Sequence, residues 1–102
     1  MKTETQLFSL GQTLQTRAIS DKSASDLNFA MFVTSSLHKH HSGDWGKCGE
    51  DDRVRNDEAL KIGERLFSVY EYQKPELAKP VKIWIITEAD RSATMVLFPS
   101  EY

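Results

Sequence analysis

Residues 81–88, Val-Lys-Ile-Trp-Ile-Ile-Thr-Glu, constrain the fold more than any other stretch. Strand side chains alternate between two faces, so Val81, Ile83 and Ile85 point one way and Trp84 and Ile86 the other. The run is β-branched and aromatic, which suits a pleated surface. A strand with bulk on both faces needs cover on both faces, which predicts a central position in a sheet.

Three other runs have strand character. Residues 7–14 alternate, with Phe8, Leu10, Gln12 and Leu14 on one face, and Gly11 marks a weak point or bulge. Residues 65–73 carry Leu66, Phe67, Val69, Tyr70 and Tyr72. Residues 93–98 return after the turn at Ala89-Asp90-Arg91-Ser92 and stop at Pro99, which has no N–H for a ladder.

Two stretches have helical spacing. Ser23, Ser25 and Asp26 are good helix starters, and Phe29, Ala30, Val33 and Leu37 then form one stripe over residues 27–40. Leu27 lies beside that stripe and Met31 and Phe32 widen it, which predicts a well-buried helix ending at Ser42-Gly43. Glu50, Asp51 and Asp52 open a second helix to about residue 62, their charge matching its N-terminal dipole. Its inward side is Asp52, Asn56, Ala59, Leu60 and Gly63, small enough to let another element approach. Residues 16–25 are polar and read as a connection, and residues 74–80, with Pro75 and Pro80, as a loose loop. The predicted order is β-α-α-β-β-β. It makes one α+β domain over residues 1–102, with two α-helices packed on one face of a mainly antiparallel sheet of about four strands.

The bulk numbers narrow the function classes. A formal charge of −2 over 102 residues is too neutral for a dedicated nucleic-acid binder, so nucleic acid is not an expected partner. No apolar stretch approaches the ~20 residues that span a bilayer, and the first residues lack the apolar core of a signal peptide. No membrane partner is expected. The single cysteine, Cys48, cannot close an intramolecular disulfide, which fits a reducing, cytoplasmic compartment.

Several polar residues could carry chemistry. His38, His40 and His41 cluster near the end of the first helix, where imidazoles either bind a metal or meet the last free carbonyls. Asp44, Asp51, Asp52 and Asp57 crowd one region, and Glu88 with Asp90 forms a second acidic group. Carboxylates gathered from two places can hold magnesium and cut phosphodiesters, with His41 or His40 as base and Arg91 on the phosphate. No spacing here is a diagnostic metal motif, so capping and turn hydrogen bonds explain the same residues more simply, and no cofactor is expected. Trp84 alternates with core residues and reads as core, whereas Trp45, between Gly43 and Gly46, divides evenly between core and partner anchor.

The segments His41-Ser42-Gly43-Asp44-Trp45-Gly46, Asp52 with Asn56-Asp57, residues 63–70, residues 82–92 and the closing Pro99-Ser100-Glu101-Tyr102 belong together. As a set they resemble a family of uncharacterised small bacterial proteins associated with plasmids, phages and integrated elements. The resemblance covers residues 7–14 and 37–102. It implies a mobile-element context and no stated reaction. Some members are labelled restriction–modification subunits, but this chain is too short for a methyltransferase cofactor domain and has no Gly-rich strand-to-helix loop. The expected function is a non-catalytic protein-binding module that acts on a host or plasmid protein and can interfere with host defence. Its expected surface is His41, Asp44, Trp45, Asp52, Asn56, Glu88, Asp90 and Arg91, the loop residues beside a rigid sheet. The alternative is a small metal- or histidine-dependent hydrolase acting on nucleic acid. A monomer or small homo-oligomer suits either.

Overall fold

The structure is a computed structural model and describes residues 7–102. Its elements are β1 (Gln12–Gln15), α1 (Arg17–Ser25), α2 (Leu27–His41), α3 (Glu50–Ile62), β2 (Leu66–Tyr72), β3 (Val81–Thr87) and β4 (Ala93–Leu97), followed by a 3₁₀ turn at Pro99–Glu101. The sheet order is β1-β4-β3-β2. β3 pairs antiparallel with β2 and with β4, so the two-faced strand lies inside the sheet as its bulk requires. β1 joins β4 in parallel. The chain is an α+β domain.

Among the described residues there are three helices where two were expected. Residues 17–25 are polar, yet they form α1, because the Thr16 hydroxyl accepts from the Ile19 N–H at 3.3 Å and Ile19 drops into the core. One apolar anchor in nine residues leaves no stripe for a periodicity argument to find. α2 begins where expected, with the Asp26 carboxylate accepting from the Phe29 N–H at 3.2 Å. Its buried stripe is Phe29, Val33, Ser36 and His40, so Leu27 and Met31, expected inside, are 74% and 61% exposed. The stripe tolerates a histidine because the sheet beneath supplies hydroxyl partners for the imidazole.

α1 and α2 cover one sheet face. Tyr70 and Tyr72 of β2, Ile83 and Ile85 of β3 and Val96 of β4 meet Ile19, Phe29 and Val33 there. Full burial of each such side chain contributes about 1.5–3 kcal/mol. β1 is shorter than expected, and residues 7–11 precede it as irregular chain. Gly11 takes φ +63, where a side chain would collide with the backbone of Arg91 and Ser92.

α3 lies along the outer edge of β2 and seals it. An open strand edge presents unpaired N–H and C=O groups that invite aggregation. Here the Asn56 amide takes both groups of Phe67, donating to its carbonyl at 2.6 Å and accepting from its N–H at 3.1 Å. Two residues on, the Val69 N–H donates to the Trp45 carbonyl at 3.2 Å and the Val69 carbonyl accepts from the Lys47 N–H at 2.7 Å. Asn56 is buried, so replacing it by leucine should orphan both groups of Phe67. The expected loss is about 2–3 kcal/mol, read as a shift in urea midpoint at constant slope.

Candidate functional site

Most residues expected to form a functional surface are engaged in building the fold. Asp44 closes a turn by accepting from the Gly46 N–H at 3.1 Å, and its carbonyl accepts from the Tyr70 hydroxyl at 2.6 Å. Burial pushes the Tyr70 phenol well above its usual range. Asp90 likewise accepts from the Ser92 N–H at 3.0 Å, and the Ser92 hydroxyl, with that N–H, holds its carboxyl below the usual carboxylate range. Arg91 has φ +62 and turns its guanidinium back over the C-terminal end of α3. It donates to the carbonyls of Ala59 at 3.1 Å, Glu64 at 2.6 Å, Glu88 at 3.2 Å and Ala89 at 3.2 Å. A cation suits a helix C-terminus, where carbonyls lack partners. His41 is half-buried with its ring 5.6 Å from that of Phe8. Glu88 is exposed, and Asp52 lies 3.9 Å from Arg55 at the start of α3.

His40, not His41, is the histidine the fold depends on. It is fully buried, as are Ser68, Thr87 and Thr94. Its Nδ1 meets the Ser68 hydroxyl and its Nε2 lies 2.9 Å from the Thr87 hydroxyl. Thr87 is 2.7 Å from the Thr94 hydroxyl, and Thr94 donates to the Leu10 carbonyl at 2.7 Å. That last bond sets the direction of every other. Thr94 gives its proton to Leu10, so it accepts from Thr87. Thr87 therefore accepts from His40, whose proton must be on Nε2, and Nδ1 accepts from Ser68. The imidazole is neutral and saturated. Burial, with His41 and Arg91 adding like-charge repulsion, lowers its pKa to about 3. A serine beside a histidine resembles a nucleophile with its base, but no substrate reaches this pair. Cys48 is equally shut away, with its thiol pushed up by burial.

Trp84, expected in the core, is less buried than Trp45, whose place was evenly divided. Trp45 is buried, with its indole N–H donating to Asp57 at 3.1 Å and its ring against Phe8 and His40. Trp84 is only half-buried, whereas Ile86 on the same side of β3 is buried. On that side Phe67 stands edge-to-face with Trp84 at 5.0 Å, and Trp84 with Tyr102 at 5.4 Å. With Ile86 they floor a groove of about 440 Å³ between the sheet and the flank of α3. Asp52, Arg55, Glu64 and Arg65 line its charged rim. Arg65 holds Tyr102, lying 5.5 Å from the ring centre and donating to the hydroxyl at 2.9 Å. Of the expected surface only Asp52 and Asn56 reach this groove. The sequence signal for the rest was the bulk of Trp84 and Ile86 on the second face of β3.

Among the described residues, no three His, Cys, Asp or Glu side chains come together in a group that could hold a metal ion. Asp44, Asp90 and Arg91 are tied down by separate turns and caps. Among the same residues no helix is long and apolar enough to cross a membrane. No protein-family model matches the chain, and no curated protein and no solved structure matches it either.

Proposed function

We propose that the chain is a non-catalytic protein-binding module of a mobile element, holding a host protein on the open face of its sheet. The observation that carries this reading is the contrast between the two halves of the polar inventory. Residues suited to catalysis are used in caps, turns and the buried chain around His40, whereas Phe67, Trp84, Ile86 and Tyr102 lie along an open groove. Trp, Tyr and Arg are the side chains that most often dominate protein interfaces, and Trp84, Tyr102, Arg55 and Arg65 stand together here. The rim carries two acidic and two basic residues, so it offers no net attraction to a polyanion. The cytoplasm suits a chain with one buried free thiol, and a component of host defence is the partner class that the mobile-element context favours.

A photoreactive amino acid placed at Arg55 or Tyr102 in bacterial cells should give one discrete protein adduct. The same probe at the exposed Asp21 or Lys47, away from the groove, should give none. Equal adducts at both sets, or none at the groove, would overturn the proposal. So would magnesium-dependent cutting of DNA or RNA that His41→Ala abolishes.

A further inference from the structure

We infer that the outer edge of β1 pairs with the same edge of a second copy of this chain, antiparallel about a two-fold axis at Leu14. This edge lies at the opposite end of the sheet from the groove beside α3 and β2. The two edges of the sheet are treated differently. Asn56 and the Trp45–Lys47 segment take up the backbone groups of β2. β1 has all four of its residues exposed, and among the described residues no strand pairs with its outer side. Lysine, proline or a bulge commonly blunts an open edge. Gln12–Gln15, Gln-Thr-Leu-Gln, holds no charge and no proline.

The hydrogen bonds that tie β1 to β4 determine which groups are left over. The Gln12 N–H donates to the Ser92 carbonyl at 2.9 Å and the Thr16 N–H to the Val96 carbonyl at 3.1 Å. Backbone groups alternate sides along a strand, so the N–H and C=O of Thr13 and Gln15 point away from β4. An antiparallel partner is bonded best where residues with outward groups stand opposite one another. With a second β1, one register does this for both residues: Thr13 opposite Gln15, and by symmetry Gln15 opposite Thr13. Each pair exchanges both of its bonds, and Leu14 falls on the axis opposite Leu14 of the second copy. Shifting the axis to Thr13 or to Gln15 leaves only one such pair. The side chains favour the same register. Leu14 stands beside Met95, and Met95 beside Ile86, so Leu14 ends an apolar row at the sheet edge. It is 36% exposed there, and the second copy continues the row.

Sedimentation velocity of the full chain tests this. A strand this short makes a weak joint, so a monomer–dimer equilibrium should appear at roughly 10–500 μM. Thr13→Pro removes an outward N–H that the chain itself does not use. It should leave the melting temperature level and weaken the dimer roughly tenfold or more, because half the ladder is lost. Leu14→Lys and Leu14→Glu should each keep the chain monomeric, since like charges then stand directly opposite. Mixed together, these two variants should associate, as only residue 14 facing itself allows. Leu14→Cys reads the register: the Cα atoms of such a pair are about 4.5 Å apart, within reach of a disulfide. Mild oxidation should link its copies, whereas Gln12→Cys, on the same face but away from the axis, should not be linked. A chain that stays monomeric throughout, a Thr13→Pro dimer of unaltered strength, charge variants that fail to associate when mixed, or equal linking at positions 12 and 14 would each overturn the inference.

Discussion

Gly46→Ala is expected to destabilise the protein by about 4 kcal/mol. Gly46 has φ +74, in the left-handed region that costs an alanine about 1–2 kcal/mol. The added Cβ would also run into the Val69 carbonyl oxygen and the Tyr70 ring. That carbonyl is the one that accepts from Lys47, so relieving the clash breaks the pairing along the edge of β2. Arg53, which donates to the Gly46 carbonyl at 2.9 Å, would lose its anchor as well. Chemical denaturation should show the loss, and near-ultraviolet circular dichroism should show Trp45 leaving its site. Gly49→Ser is the control. A Cβ there meets nothing within 4 Å, and the hydroxyl can cap α3, which has no side-chain cap. It should leave stability level or raise it by roughly 0.3 kcal/mol.

His40→Ala should cost a similar amount, about 4 kcal/mol, for a different reason. It opens a cavity in the core and strands the Ser68 and Thr87 hydroxyls without partners. His40→Leu fills most of the space but leaves the hydroxyls stranded, so it should cost about 2 kcal/mol. A cycle combining His40→Leu with Thr87→Val should be less than additive, because each change already breaks the same chain. His40 also sets the acid side of the stability curve. Its folded pKa of about 3 lies below the unfolded value of 6.5, so the unfolded chain binds the extra proton between those limits. The contribution is whole above pH 6.5 and fades as pH falls towards 3. The slope approaches 1.4 kcal/mol per pH unit well below pH 6.5, so lowering the pH from 6.5 to 5 should remove about 1.6 kcal/mol. His40→Leu should flatten that window. Asp90 acts in the same sense only at lower pH, where carboxylates titrate, so the two are separable.

What was legible in the sequence was what repeats. The two-sided bulk of β3, the meander from β2 to β4 and the extent of α3 follow from spacing and end signals. α1 was not legible, since its only buried residue is Ile19. The register of α2 on the sheet was not legible because two of its inward positions are Ser36 and His40, and the burial of His40 depends on hydroxyls 28 and 47 residues further along the chain. The places of Trp45 and Trp84 were hidden for a related reason. A turn closed by Asp44 brings the first inward, and the second lies in the groove between β3 and α3. Asn56 was placed correctly on the inner side of α3, but its role as an edge cap needs the position of Phe67. Arg55, Arg65 and Tyr102 come together only once α3 has docked beside β2, and nothing local in the chain says so.

The residues that look most like a reactive set have structural partners in this fold, and His40 is where that account is most exposed to test. Nitrogen-15 NMR of the histidine rings across pH reads it directly. One ring should be a locked Nε2–H tautomer, its Nδ1 unprotonated, that stays neutral at pH 5. A spectrum in which all three rings interconvert between tautomers and gain charge near pH 6.5 would contradict it.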